Sequence, residues 1–319
     1  MKIWIVPTLI AIYFLCSCQN QQLQKDFLID EVDLIPEGVA VHNATGIIYV
    51  GSTYKRKIIQ IDPTGKVSDF LPQEKDGIWS VLGMEVDEEK EVLWVNTAHI
   101  NEVMPLINPS PTKHWMTTIS AFDLKDGKRL KQYKLQDTTS AFNDLTLTPS
   151  GTVYATESAN NKIFLINTEA DSLAVFLALK DHHFPNGITY SQKHNSLFVA
   201  CTEGVLKIDV PSKDYTLLTE GANVNAEGID GLALHDDYLI GHQSSKVSRF
   251  YLNKDFTTIT RMEVLDEGDE FDASTTGEIG VDYYYFFVNS QIRSGIDFQA
   301  KTIKPRDSLE QVIIRRIPL

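Results

Sequence analysis

Four oxygen-bearing side chains stand at one phase of a long repeat. Glu37, Asn143, Asn186 and Asp230 each begin a short phrase: Glu37-Gly38-Val39-Ala40-Val41, Asn143-Asp144-Leu145-Thr146-Leu147, Asn186-Gly187-Ile188-Thr189-Tyr190 and Asp230-Gly231-Leu232-Ala233-Leu234. Leu82-Gly83-Met84-Glu85-Val86 and Thr276-Gly277-Glu278-Ile279 fall in the same register. The six starting points are 45, 61, 43, 44 and 46 residues apart. Two carboxylates and two carboxamides brought together make an all-oxygen ligand set. Such a set suits Ca²⁺ best, then Mg²⁺ or Mn²⁺, with Zn²⁺ less favoured in the absence of His or Cys. Crowded without a partner, the same groups would carry a desolvation cost of several kcal/mol.

The elements around these residues must carry them to one place. Strand, turn and strand alternate from residue 27 onward, as in Val39-Ala40-Val41, the turn His42-Asn43-Ala44-Thr45-Gly46, and Ile47-Ile48-Tyr49-Val50. The turns are rich in Gly, Pro, Asn and Asp, which supply the dihedrals of a tight reversal. No helical period persists over three turns. A strand-built repeat of this length predicts an all-β, six-bladed β-propeller over residues 27–319, with each phrase opening an innermost strand. The four side chains then converge on the central axis, and Gly38, Gly187 and Gly231 let the crowded backbones approach. The stretch 27–32 is expected to close the last blade as its outer strand, which covers an exposed edge. Blade 2 is long by about 16 residues, between His99 and Met116. Alternating strand direction puts this excess on the face of the four oxygen residues, as a candidate lid.

Composition sets the setting. The chain has 319 residues and a net charge of −14, which argues against nucleic acid or an anionic membrane surface as the main partner. Met1-Lys2 and the apolar run Ile3 to Leu15 read as a signal sequence too short to span a bilayer. The run ends in Leu15-Cys16-Ser17-Cys18, which resembles a bacterial lipobox. Residues 1–17 are therefore expected to be removed, Cys18 acylated, and 18–26 to serve as a tether. Gln19 provides no acidic retention signal, so the expected location is the cell envelope, on the periplasmic side of the outer membrane in a Gram-negative host. The third cysteine, Cys201, lies in the run Leu197-Phe198-Val199-Ala200-Cys201 and is read as a small buried hydrophobe. A monomer is expected.

Pro36-Glu37-Gly38, Phe142-Asn143-Asp144, Phe184-Pro185-Asn186-Gly187-Ile188 and Ile229-Asp230-Gly231 resemble the metal-binding motifs of one superfamily. It contains the senescence marker protein/gluconolactonase/luciferin-regenerating enzyme family, with paraoxonases and diisopropylfluorophosphatases as relatives. The resemblance spans residues 30–319. It implies a catalytic Ca²⁺ or similar ion at the channel mouth, held by Glu37, Asn143 and Asn186, with Asp230 as base or nucleophile. It also implies hydrolysis of lactones and, in relatives, of phosphotriesters. Two departures narrow it. Blade 2 offers Leu82 at the shared position and no match to the paraoxonase histidine pair, since His99 lies beyond the strand. No arginine stands near Asn143 to recognise a sugar acid; Ala141-Phe142 stand there instead, which points to a less polar substrate.

The resulting expectation is a hydrolase of a small lactone or ester, with the ion polarising the carbonyl. The pocket wall is expected from Asn143, His182, His183, Phe184, Glu203, His242 and Gln243 on the same face. Two other classes compete. One is a non-enzymatic envelope propeller with a structural ion that binds a ligand or protein partner. The other is a synthase of the strictosidine synthase-like kind, which needs no metal and leaves the four ligands unexplained.

Overall fold

Runs such as Leu197-Phe198-Val199-Ala200-Cys201 are apolar at every position because each strand is covered on both faces. Leu197, Val199 and Cys201 pack toward Tyr154, Ile163 and Ile188, while Phe198 and Ala200 pack toward Leu232, Leu239 and Phe250. The period-2 alternation of a strand thus divides one run between two neighbouring sheets. Repeated around a ring, this arrangement makes a propeller. The computed structural model describes residues 26–99, 116–135 and 139–319.

Six antiparallel sheets of four or more strands form the blades. The innermost strands are Pro36–His42, Ser80–Asp87, Phe142–Leu147, Ile188–Ser191, Leu232–His235 and Gly277–Ile279. Blade 5 gains a fifth strand at its outer edge, where Thr219–Glu220 runs parallel to Thr258–Glu267. Apolar clusters fill each gap between blades; Trp94, Ile119, Phe142 and Leu145, for example, join blades 2 and 3. Each such buried side chain contributes about 1.5–3 kcal/mol of transfer free energy.

Closure occurs through the N-terminal strand, as expected, over Asp26–Ile29 rather than 27–32. It pairs with Val312–Pro318 in the register Phe27↔Ile314. Arg315 fastens this edge with a two-pronged contact to Asp26 (2.9 and 3.0 Å), and also holds Asp266 at 2.9 Å and Glu270 at 3.1 Å. The planar guanidinium suits the paired carboxylate geometry.

The expected signal sequence, Cys18 and most of the tether lie outside the described residues, as does the blade 2 segment 100–115. A different insertion stands over the channel. The connection from Tyr283–Phe287 to Val312–Pro318 carries a small hairpin, Ile296–Asp297 with Thr302–Ile303. It has its own apolar nucleus, in which Ile35 and Ile296 are buried against Tyr54, Ile292 and Ile303. Gln291 fastens it: its amide nitrogen donates to Glu310 O (2.9 Å) and its amide oxygen accepts from Glu310 N (2.7 Å).

Candidate metal and substrate site

Five of the six recurring phrases begin with a bulge; the blade 6 phrase pairs in regular register from Gly277. In blade 1, Pro36 pairs with Ser52 and Val39 with Val50, so Glu37 and Gly38 together oppose Gly51. Leu82-Gly83 oppose Asn96, and Asn143-Asp144 oppose Thr156, in the same way. In blade 4, Asn186 N donates to Ala200 O and Ala200 N to Gly187 O, both at 2.8 Å. In blade 5, Asp230 N donates to His242 O (2.8 Å) and His242 N to Gly231 O (3.1 Å). The extra residue breaks strict alternation and re-aims the first side chain of each of these five phrases. The second residue is held against the next blade. A Cβ on Gly231 would sit 2.6 Å from Thr275 O, so only glycine fits. In blade 3 the second residue is Asp144, whose carboxylate accepts from Leu145 N (2.9 Å) and Ile188 N (3.1 Å).

The bulges bring Glu37, Asn143, Asn186 and Asp230 to the floor of one cavity of about 520 Å³. Beneath it lies a niche of about 10 Å³, lined by the same four side chains with Asp144 and Thr275. That is the room of about one water-sized sphere. The carboxamides are oriented by their neighbours. Ser158 Oγ donates to Pro185 O (2.7 Å), so it accepts from Asn143 Nδ2 (3.0 Å). Asn186 Nδ2 donates to Asp230 Oδ1 at 2.6 Å. Both amide nitrogens are thus engaged, which leaves both amide oxygens without a hydrogen bond among the described residues. Thr275 Oγ1, buried at the same niche, is also unpartnered.

The charges here are costly to hold. Burial, then Asp230 and Asp144, pushes Glu37 well above the usual carboxylate range. Burial raises Asp230 to about 6, against the lowering effects of the Asn186 hydrogen bond and the Arg293 charge. Burial raises Asp144 to about 7, against two backbone N–H bonds. These side chains keep some accessible surface because they face the cavity, yet protein surrounds them, so the upward direction holds. The donor set fits a hard divalent cation: two carboxylates, two oriented amide oxygens and an unpartnered hydroxyl. Among the described residues no group of three or more His, Cys, Asp or Glu is placed to hold a metal, so the carboxamides are essential to this fit.

Several expected pocket residues stand elsewhere. His242 is fully buried, with Nδ1 2.8 Å from Ser274 Oγ and Nε2 2.6 Å from Tyr284 OH. Ser274 Oγ donates to Phe287 O (2.6 Å), which leaves Nδ1 of His242 as the donor and Nε2 as the acceptor. Burial lowers this imidazole to about 3, so it stays neutral and supports Asp230 through its backbone carbonyl. His183 and Glu203 lie outside the cavity lining and brace the loop that carries Phe184, with Nδ1 2.5 Å from Glu203 Oε1. His182 turns away, edge-on to Tyr215 at 5.9 Å. Gln243 is also outside the lining; its amide donates to Asn225 O and Glu227 O (3.2 and 3.0 Å). Cys201 does line the cavity, but burial, then Glu203, pushes its thiol up to about 12, which leaves it inert as a nucleophile.

The remaining walls include Phe184, as expected, and Leu82 from the shared repeat position, joined by residues that the repeat did not single out. Leu82, Phe142 and Ile229 form apolar sides. Phe184 is 54% exposed and has φ 54°, a conformation costly for a bulky residue. The blade 6 cap adds Ile292, Arg293 and Phe298. Ser158 carried one signal, since Thr156-Glu157-Ser158 ends the strand opposite the Asn143 phrase. The cap carried none.

No family model and no curated protein matches the chain in sequence. Solved structures do match in shape. A gluconolactonase from Xanthomonas campestris is 13% identical with a TM-score of 0.61, over 89% of this chain and 86% of that chain. The virginiamycin B lyase of Staphylococcus aureus is 16% identical with a TM-score of 0.58, over 92% and 98%. The major allergen Mala s 1 of Malassezia sympodialis is 12% identical with a TM-score of 0.67, over 92% and 96%. At such identities the likeness establishes the propeller. Proteins named as a gluconolactonase, a lyase and an allergen share it, so shape alone does not select a chemistry.

Proposed function

We propose that this chain is a metal-dependent hydrolase of lactones or related esters, acting at the top of the propeller channel. The observation that carries the reading is the convergence of Glu37, Asn143, Asn186 and Asp230 on the floor of an apolar-walled cavity. These four would hold the ion: Ca²⁺ by preference, with Mg²⁺, Mn²⁺ and Zn²⁺ as alternatives. When bound, such an ion supplies Lewis acidity toward a carbonyl oxygen.

The chain's own residues do the rest. Asp230 acts as base or nucleophile. Its Oδ1 is held by Asn186, and its Oδ2 has no hydrogen bond among the described residues. With no ion present burial raises its carboxyl to about 6, and a bound cation would favour the charged form that serves as base. As base it accepts a proton from water, whose oxygen bonds to the carbonyl carbon. The ring C–O bond then breaks, and the departing oxygen takes a proton to give a hydroxy acid. Leu82, Phe142 and Phe184 exclude water from the rest of the substrate.

The second reading is a non-enzymatic envelope propeller with a structural ion, and the small size of the niche, about 10 Å³, favours it. The open cavity directly above the niche favours catalysis, because it gives a substrate access to the same oxygens. We further propose that acylated Cys18 anchors the protein at the cell envelope. Assay of Asp230→Asn against a lactone panel tests the main reading: loss of hydrolysis supports it, and parental rates sink it.

A further inference from the structure

We propose that Arg293, on the blade 6 cap, is a specificity-determining residue, and that the cavity takes an amphipathic substrate bearing a carboxylate. This deepens the hydrolase reading and rests on it for the word substrate.

Arg293 is the sole cation among the described residues that line the cavity. Its backbone is fixed on both sides. Gln291 is 2% exposed and bonded to Glu310, while Gly295 N donates to Gln291 O at 2.8 Å and Lys304 N to Gly295 O at 2.9 Å. The turn that carries Arg293 has its own packed nucleus and is not a free loop.

The side chain itself is uncommitted. The chain has 43 acidic and 29 basic residues, so a cation readily finds a carboxylate partner. Arg315 holds three. Arg293 makes no ion pair or hydrogen bond among the described residues, although Asp230 lies near enough to feel its charge. A planar five-donor group at the rim of an apolar cavity suits a planar acceptor such as carboxylate.

The apolar walls define the rest of the ligand. Phe184 is 54% exposed and Phe298 is 43% exposed, and both line the cavity. Phe184 is held at φ 54° by Phe184 N donating to Asn161 Oδ1 at 2.8 Å and by the His183–Glu203 brace. Phe184 therefore presents a fixed apolar face to the cavity. An aromatic or aliphatic body fits between these rings, with its carboxylate at the rim and its ester carbonyl toward the floor.

Titration calorimetry with phenylacetate and phenylacetamide as probes tests this without any turnover. The parent should bind phenylacetate about 10-fold more tightly or better, as one charge-assisted contact gives. Arg293→Gln should abolish that preference and leave phenylacetamide binding unchanged, while Arg293→Lys should keep part of it. Equal binding of both probes by the parent overturns the proposal. So does a preference that survives in Arg293→Gln, and so does no binding of phenylacetate at about millimolar concentration. The substitution lies on an exposed side chain, so folding is not at stake. An inactive parent that still shows the Arg293-dependent preference would sink the hydrolase reading alone.

Discussion

The two ends of the channel both bury carboxylates, and they do so differently. At the mouth, Asn143 and Asn186 stand on neighbouring blades between Glu37 and Asp230, beneath an open cavity. Further down, Glu85 and Glu278 share a cavity of about 270 Å³ with Asp144, Thr146, Thr189 and Thr276. Burial raises Glu85 well above the ordinary range, with Glu278 next, and burial also pushes Glu278 up to about 8. Among the described residues, no carboxamide and no cation lines the lower cavity. Neutral amide oxygens at the mouth add ligands without adding repulsion, so that end is suited to an ion and to chemistry. At the lower end no neutral ligand separates the carboxyl groups, and burial pushes both upward.

Asp230→Asn should lower kcat/KM on a responsive lactone by about 100-fold or more, while Glu85→Gln stays within about 3-fold. Equal losses in the two variants would erase the distinction between the ends. Next is ion affinity. Glu37→Gln should weaken Ca²⁺ binding by well over about 10-fold in calorimetry, because it removes one of two anionic ligands. Chelation should lower the Tm of the parent, and Glu278→Gln should preserve that response.

A smaller effect is expected at Ser158. Its hydroxyl orients the Asn143 amide, so Ser158→Ala should cost about 10-fold in Ca²⁺ affinity, with Tm in chelator little changed. Unaltered affinity would show that the amide is oriented by something else.

The smallest effect concerns the lower end and pH. Glu278 binds a proton in the folded state up to about pH 8, whereas an unfolded Glu releases it near pH 4.3. Between these values the native state holds more protons, so this group's contribution to stability falls as pH rises. In chelator, Glu278→Gln should therefore gain Tm on the parent as pH rises toward 8, by several degrees. A constant offset across that range would remove Glu278 from the account.

Much of the fold was legible because its signals are local. Strand alternation, turn residues and a repeat near 44 residues are consequences of covalent geometry acting over short stretches. The ligand set was legible for the same reason: a repeat that places Glu37 at the head of one blade places Asn143, Asn186 and Asp230 at the heads of others. The bulge itself was not legible, because two residues opposing one is a property of a pair of strands. Nor was the cap, whose residues 288–311 look like ordinary loop until Gln291 meets Glu310 and Ile35 meets Ile296.

The histidines show where local reading stops. His182, His183 and His242 occupy the predicted face, yet one turns to Tyr215, one braces a loop and one is locked between Ser274 and Tyr284. Side-chain direction within a loop depends on partners distant in the chain. The sequence by itself determined that six strand-built repeats would set Glu37, Asn143, Asn186 and Asp230 in a ring, since periodicity is inherited by every blade. Only the tertiary structure decided which atoms of those amides stay free, and that Arg293 and Phe298 roof the cavity. Those outcomes rest on hydrogen-bond direction and long-range packing, which no spacing encodes.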